Sequence, residues 1–244
     1  MIRTSIDHRV ARTLNPNWIA KGIDGNRPGH IKIGLKNQNS PYLHLWSQKF
    51  STMLNSICVF CGSSSGHDPL YTKAAAELGK AIAQRGLRLV YGGGSVGLMG
   101  VLANAVLSHG GEVIGVIPQF LYDKEVGLDT VTELRIVASM HERKQQMAEL
   151  SQAFIALPGG IGTMEELFEI FTWAQLALIK KPVAVLNIRN FFDSMIELLD
   201  HMVKEGFLKT EHRQSLITST EIDDLFDLIY QFSYAETAKW IDKT

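Results

Sequence analysis

The chain has 244 residues, 45% hydrophobic and 20% charged, which is enough to bury one sizeable core. No apolar run approaches the roughly 20 residues needed to cross a bilayer, so a soluble protein without a membrane partner is expected. The net charge of −1 divides into +6 over residues 1–52 and −7 over residues 53–244, and an acidic globular part argues against nucleic acid as a partner.

Residues 1–52 contain "NPNW", "GNRPGH" and "NQNSP" and no sustained period of 2 or 3.6, so they are expected to form an extension with little core of its own and no catalytic role. Their basic, acid-poor start also has the composition of an organelle transit peptide, and Met53 is an alternative start, the residues before it being a leader or mis-assigned upstream sequence. Residues 53–244 are read as the functional domain. Cys58 and Cys61 form a lone C-x-x-C in an apolar stretch, without a second pair or a nearby His. Buried thiols fit better than a redox or metal site, and two cysteines give no disulfide framework. No metal or cofactor is expected, and the location expected is cytoplasmic, with organelle targeting by residues 1–52 as the alternative.

From Ser56 the pattern becomes regular. "SICVFCG" is a short apolar strand ending in glycine, and Asp68-Pro69 then supplies an N-cap followed by proline at the first helical position. A helix runs from Pro69 to about Arg85, "LRLVYGGG" is the next strand, and a second helix covers about Gly97 to His109. "GEVIGVIP" is the third strand. After a polar stretch, Gln119 to Glu133, come a helix from about Met140 to Leu150, the strand "AFIALPGG" and a helix from Thr163 to about Ile179. "KPVAVLN", "FFDSMIELLDHMVKEG" and "EIDDLFDLIYQF" add a strand and two helices. Short apolar strands alternating with amphipathic helices specify a parallel sheet covered on both faces: an α/β, doubly wound Rossmann-like domain of three α/β/α layers.

Ligands of such sheets bind beyond the carboxyl ends of the strands, where "CGSSSG", "YGGGSVGLMG" and "LPGGIGT" all fall. Gly62, Ser63, Ser64, Gly93 and Gly94 are therefore candidate site-edge residues. "GGGSVG" matches G-x-G-x-x-G, but the next strand ends "GVIPQF" without the acid that would bind a ribose hydroxyl, and Glu112 lies at that strand's start. Tight turning and close helix packing account for those glycines better than a dinucleotide does. "PGGIGT" is more specific. Gly159, Gly160 and Gly162 leave backbone amides uncovered at a helix start, a site suited to a phosphate. No P-loop lysine is present, which favours a monophosphate. A helix over 140–150 descends about 16 Å and a strand over 153–157 climbs back about 16 Å, so Arg143 and Lys144 of "MHERK" return to the same edge. Two cations at a helix start oppose its dipole, which points to an anionic ligand. Position 145 is Gln, which excludes an H-E-x-x-H zinc site.

"MHERK" followed by "PGGIGTMEE", with "CGSS", "YGGGSVGLMG", "GVIP" and "FTWAQL", resembles the LOG (Lonely Guy) family of cytokinin riboside 5′-monophosphate phosphoribohydrolases from about Ile57 to Ile229. The resemblance implies a Rossmann-like dimer or larger homo-oligomer. It also implies hydrolysis of the N-glycosidic bond of N6-modified adenosine 5′-monophosphates to free base and ribose 5-phosphate. The family pattern PGG-x-GT-x-x-E puts the catalytic glutamate at Glu166 and the catalytic arginine at Arg143. Gly160, Ile161, Gly162, Thr163, Met164, Glu165, Lys144, Glu125 and Thr172 would then contact the small-molecule nucleotide. Three alternatives stay open: plain AMP nucleosidase activity, a non-catalytic nucleotide-binding module, and a lysine decarboxylase, which would need pyridoxal phosphate on Lys144, Lys180 or Lys181. "FTWAQLALIKKP" is either core or interface.

Overall fold

The computed structural model describes residues 54–125, 127–128 and 130–233, together with three earlier strands, and it divides into two compact units, Met1–Ser51 and Thr52–Thr244. In the first unit, β1 (Thr4–Asp7), β2 (Trp18–Ile23) and β3 (His30–Leu35) form an antiparallel sheet in the order β1-β3-β2. Its strands are four to six residues long. The alternation in "HIKIGL" is thus too brief to stand out as a sustained period of 2.

The second unit is built on seven parallel strands in the order β10-β9-β8-β4-β5-β6-β7. These are β4 (Ser56–Phe60), β5 (Arg88–Tyr91), β6 (Val113–Pro118), β7 (Glu133–Val137), β8 (Ala153–Ala156), β9 (Val183–Leu186) and β10 (Leu216–Ser219). The helices are α1 (Pro69–Gln84), α2 (Gly97–Ser108), α3 (Gln119–Glu125), α4 (Met140–Leu150), α5 (Ile161–Gln175), α6 (Asp193–Lys204), α7 (Thr210–Ser215) and α8 (Ile222–Gln231). This is the doubly wound, three-layer domain that the strand–helix alternation specifies.

Side chains alternate across β4, so Ile57, Val59 and Cys61 join one core with Leu78, Leu102 and Phe226, while Cys58 and Phe60 join the other with Met147, Leu167 and Phe171. The two cysteines are free and buried on opposite faces of the sheet. They are therefore not aimed at a shared metal or at each other.

Local chemistry sets the helix starts. Asp68 Oδ1 accepts from Leu70 N at 2.9 Å and Pro69 opens α1. Ser139 Oγ accepts from Glu142 N at 3.2 Å, and Glu142 Oε2 accepts from Ala138 N at 2.9 Å, a reciprocal cap for α4. α5 begins two residues before Thr163 and ends at Gln175, where the chain leaves the helix and Ala177 takes φ 58°. The polar stretch from Gln119 to Glu133 contains α3 and leads into β7. β7 is an edge strand, half exposed, and so lacks the continuous apolar run that marks the central strands. β10, at the other edge, is hidden for the same reason. Among the described residues, no helix is long and apolar enough to cross a membrane.

Candidate active site

The strand order reverses between β4 and β8, since β4 leads on to β5 on one side and pairs with β8 on the other. A crevice at the carboxyl ends is expected there. The loops leaving these strands are joined: Gly62 N donates to Pro158 O at 3.2 Å and Leu98 N donates to Gly62 O at 3.0 Å. A Cβ on Gly62 would stand 2.9 Å from Ser64 O, so that glycine serves close packing. Ser63 and Ser64 are exposed on the rim, where Ser64 Oγ accepts from Gly66 N at 3.3 Å. Gly93 and Gly94 are buried. Gly93 O accepts from Leu128 N at 3.3 Å, and Gly94 bridges to Gly127, which lays the segment after α3 against this loop. Glu125 is the last residue of α3, and its side chain lies outside the described residues.

The glycine loop after β8 opens α5. Gly160 is its N-cap, and Gly160, Ile161 and Gly162 are exposed, so the first-turn amides of α5 face outward with the positive end of the helix dipole. Met164 N is the first to bond back, to Gly160 O at 3.2 Å. Thr163 is buried, with its hydroxyl packed over Gly159: a Cβ on Gly159 would lie 2.1 Å from Thr163 Oγ1. Ile161, 86% exposed, overhangs this helix start.

One turn into α5, Glu166 is turned inward and only 9% exposed, and it meets Arg143 of α4, which is 8% exposed. Arg143 Nη1 stands 3.5 Å from Glu166 Oε1, an ion-pair distance longer than a good hydrogen bond. The rest of the guanidinium is held by backbone: Nε donates to Val116 O at 3.1 Å and Nη2 to Gly92 O at 3.2 Å. Burial pushes the Glu166 carboxyl up from its ordinary value, and the lowering by Arg143 does not offset it. A cation beside a carboxylate would by itself favour the ionised form. The structure gives instead a carboxylate that takes a proton more readily than an exposed one does.

Lys144 lies beside Arg143 but serves different partners. Its Nζ is 2.5 Å from Glu165 Oε1 and 3.0 Å from Glu169 Oε2. Burial alone would lower its pKa, but the two carboxylates win and raise it. The cation pair that opposes the α4 dipole is thus offset by carboxylates of α5 as well as by the Glu142 cap. Sequence reasoning found Arg143, Glu166 and the loop. It missed Glu169 and the two carbonyl acceptors of Arg143, which only the packing of α4 over the sheet reveals, although the spacing of Glu165 and Glu169 was a signal for one carboxylate face.

Thr172 is not brought to the loop within one chain. It lies eleven residues beyond Ile161, about 16 Å along the helix, and its hydroxyl donates to Phe168 O at 2.7 Å. Glu112 pairs with Arg88 at 2.7 Å, at the amino-terminal edge of the sheet. A cavity of about 740 Å3 opens on that edge too, lined by Ser56, Arg88, Glu112 and Gln152 among others. Among the described residues its lining holds no counterpart of the buried Arg143–Glu166 pair, and it lies opposite the switch-point crevice. Two of the three candidate lysines do not suit a Schiff base. Lys144 is held as a cation, and Lys181, though lowered by burial, donates to Ala148 O at 2.8 Å near the far end of α4.

Comparisons with known proteins bear on the family and the fold. A family model described as "possible lysine decarboxylase" matches residues 99–229. The cytokinin riboside 5′-monophosphate phosphoribohydrolase LOG4 of Arabidopsis thaliana is 49% identical over 177 residues, spanning 72% of this chain and 82% of that protein. The corresponding LOG of Oryza sativa subsp. japonica is 50% identical over 169 residues, spanning 69% and 70%. Among solved structures, the Moco carrier protein from Chlamydomonas reinhardtii matches with a TM-score of 0.55 at 21% identity, over 73% of this chain and 96% of that one. The molybdenum cofactor binding protein of Rippkaea orientalis matches with a TM-score of 0.55 at 22% identity, over 72% and 96%. At those identities the likeness concerns the fold.

Proposed function

The chain belongs to the LOG family of cytokinin riboside 5′-monophosphate phosphoribohydrolases, and we propose that Arg143 and Glu166 carry the hydrolysis of the N-glycosidic bond in this member. The substrate is an N6-modified adenosine 5′-monophosphate, and the products are the free base and ribose 5-phosphate. The observation that carries the assignment of residues is the buried Arg143–Glu166 pair one helical turn beyond an exposed helix start.

The uncovered amides of Ile161 and Gly162 suit the 5′-phosphate, with the α5 dipole adding to the attraction. Gly160 lets the phosphate approach the backbone, and Ile161 and Met164 flank it. Glu166 then faces the sugar. Cleavage passes through an oxocarbenium-like ribose, which needs negative charge near C1′ and an activated water. Glu166 supplies both: its carboxylate stabilises the developing cation, then accepts a proton from the water whose oxygen bonds to C1′ as the bond from C1′ to the base nitrogen breaks; the bonding pair leaves on that nitrogen, which takes up a proton from solvent to give the free base. Its raised proton affinity is the property a general base needs. Arg143, fixed by the Gly92 and Val116 carbonyls, orients that carboxylate. Lys144 and Glu165 are placed beside the phosphate end, and Glu125 and Thr172 are kept as outer substrate contacts. Thr172 would serve across a homodimer interface, for which Leu176 and Leu178, both exposed after α5, give apolar surface. The catalytic parts all lie in residues 53–244, which leaves residues 1–52 outside the chemistry, and the two free thiols fit a cytoplasmic setting.

Incubation with isopentenyladenosine 5′-monophosphate and with AMP, followed by chromatography of the released base, tests the reading. Release from the modified nucleotide in preference to AMP is expected, and no base from either would overturn it. Glu166→Gln should bind the nucleotide yet turn over about 100- to 10,000-fold more slowly.

A further inference from the structure

Two adjacent cations of α4, Arg143 and Lys144, face three carboxylates of α5, Glu165, Glu166 and Glu169, and the pairing is uneven. Glu165 and Glu169 are four residues apart, one above the other on the same helix face, and both carboxylates close on the single Lys144 ammonium. The Lys144 side chain is 11% exposed as a result. Glu166 is left with Arg143, whose other nitrogens are occupied by backbone carbonyls.

We propose that Glu169 is a positioning residue of the hydrolytic site: with Glu165 it holds Lys144 away from Glu166, so that Glu166 makes its ion pair with Arg143 while Lys144 acts on it only from a distance, and it stays able to accept a proton. This rests on the reading of Glu166 as the general base. With every group ionised the cluster carries one more negative charge than positive. The proton that relieves the excess goes to the carboxyl least in contact with water. Glu166, with a side chain 10% exposed, is that group, against 49% for Glu165 and 26% for Glu169.

The charged and titratable groups acting on Glu166 come from three elements. Arg143 and Lys144 of α4 lower its proton affinity, Glu165 and Glu169 of its own helix raise it, and the thiols of Cys58 and Cys61, on β4 and just after it, lie close enough to sense its charge. Removing Glu169 acts twice in the same direction: it deletes a negative charge near Glu166 and loosens the ammonium that could swing toward it. A brace that merely ties α4 to α5 would alter stability without moving this titration.

The test is a pair of variants with opposite signs. Glu169→Gln should shift the acidic limb of the kcat/KM profile to lower pH by about one unit, and Lys144→Met should shift it upward by a similar amount. Glu169→Asp should restore part of the wild-type profile. The same comparison is made without substrate, by 13C NMR titration of the glutamate carboxyls in the full chain, with Glu166→Gln identifying the Glu166 resonance. A Glu166 midpoint that falls in Glu169→Gln and rises in Lys144→Met supports the proposal. An unmoved midpoint, with only a lowered Tm, overturns it and leaves a structural brace. If the wild-type protein releases no base, the hydrolase reading fails while the NMR titration still decides the role of Glu169.

Discussion

Two glycine-rich loops, Gly92–Gly97 and Pro158–Gly162, join parallel strands to helices at the same edge of the sheet, yet their glycines answer to different demands. In the first loop the missing side chains are filled by protein. A Cβ on Gly92 would lie 2.0 Å from Arg143 Nη2, and one on Gly97, which has φ 60°, would lie 2.3 Å from the Ser63 backbone. In the second loop, a Cβ on Gly160 or Gly162 would meet nothing within 4 Å, and neither residue has a positive φ. Glycine costs about 0.5–1 kcal/mol in a helix relative to alanine. Gly160 is the N-cap and lies outside the helix, but at Gly162 neither packing nor backbone conformation accounts for that cost, whereas the close approach of the phosphate we propose there would. The literal G-x-G-x-x-G match thus turns out to be the packed loop, and the exposed amides belong to the other.

Substitution tests this contrast directly, and the largest effect is expected at Gly97. Alanine there combines left-handed strain with a backbone collision and should lower stability by about 3 kcal/mol in a urea titration; a change under about 0.5 kcal/mol would break the contrast. Gly92→Ala should displace the Arg143 guanidinium, cutting kcat/KM by about 100-fold or more at a cost of about 1–3 kcal/mol in stability. Gly162→Ala should do the reverse, holding or raising stability by about 0.5–1 kcal/mol while KM for the monophosphate rises about tenfold. Equal KM values would remove the phosphate from this loop.

The smallest effect concerns pH. The folded pKa of Glu166 is raised above its ordinary 4.5, so between the two values the native state holds more protons than the unfolded one, and stability falls as pH rises through that window. The gap in Tm between Glu166→Gln and wild type should therefore widen in favour of Gln above pH 4.5 and level off once the folded pKa is passed. A constant gap would show that the carboxyl titrates normally.

The central strands were legible because each is a short apolar run ending in glycine, and the α1 boundary because Asp68-Pro69 states it chemically. The edge strands β7 and β10 were not, since an edge strand with half-exposed faces reads like a loop. α5 was placed late because "GIGT" has weak helix propensity, although Gly160 makes a workable cap. In the site, the return of Arg143 to the glycine loop followed from matching helix and strand lengths. The division of labour between Arg143 and Lys144 did not, because it depends on which carboxylates of α5 rotate toward α4.

Arg143 also has a mechanical side. Its guanidinium ties the backbone after β5 to the interior of β6 while its third nitrogen faces α5, so a single side chain spans two strands and the helix that the second glycine loop opens. An inactive Arg143→Ala protein will then have lost a cross-link as well as a charge. Amide hydrogen exchange around Gly92–Gly94 and the first turn of α5 should accelerate in that variant but not in Glu166→Gln. Lysine cannot stand in, since one ammonium cannot copy a planar fork that reaches two carbonyls and a carboxylate at once.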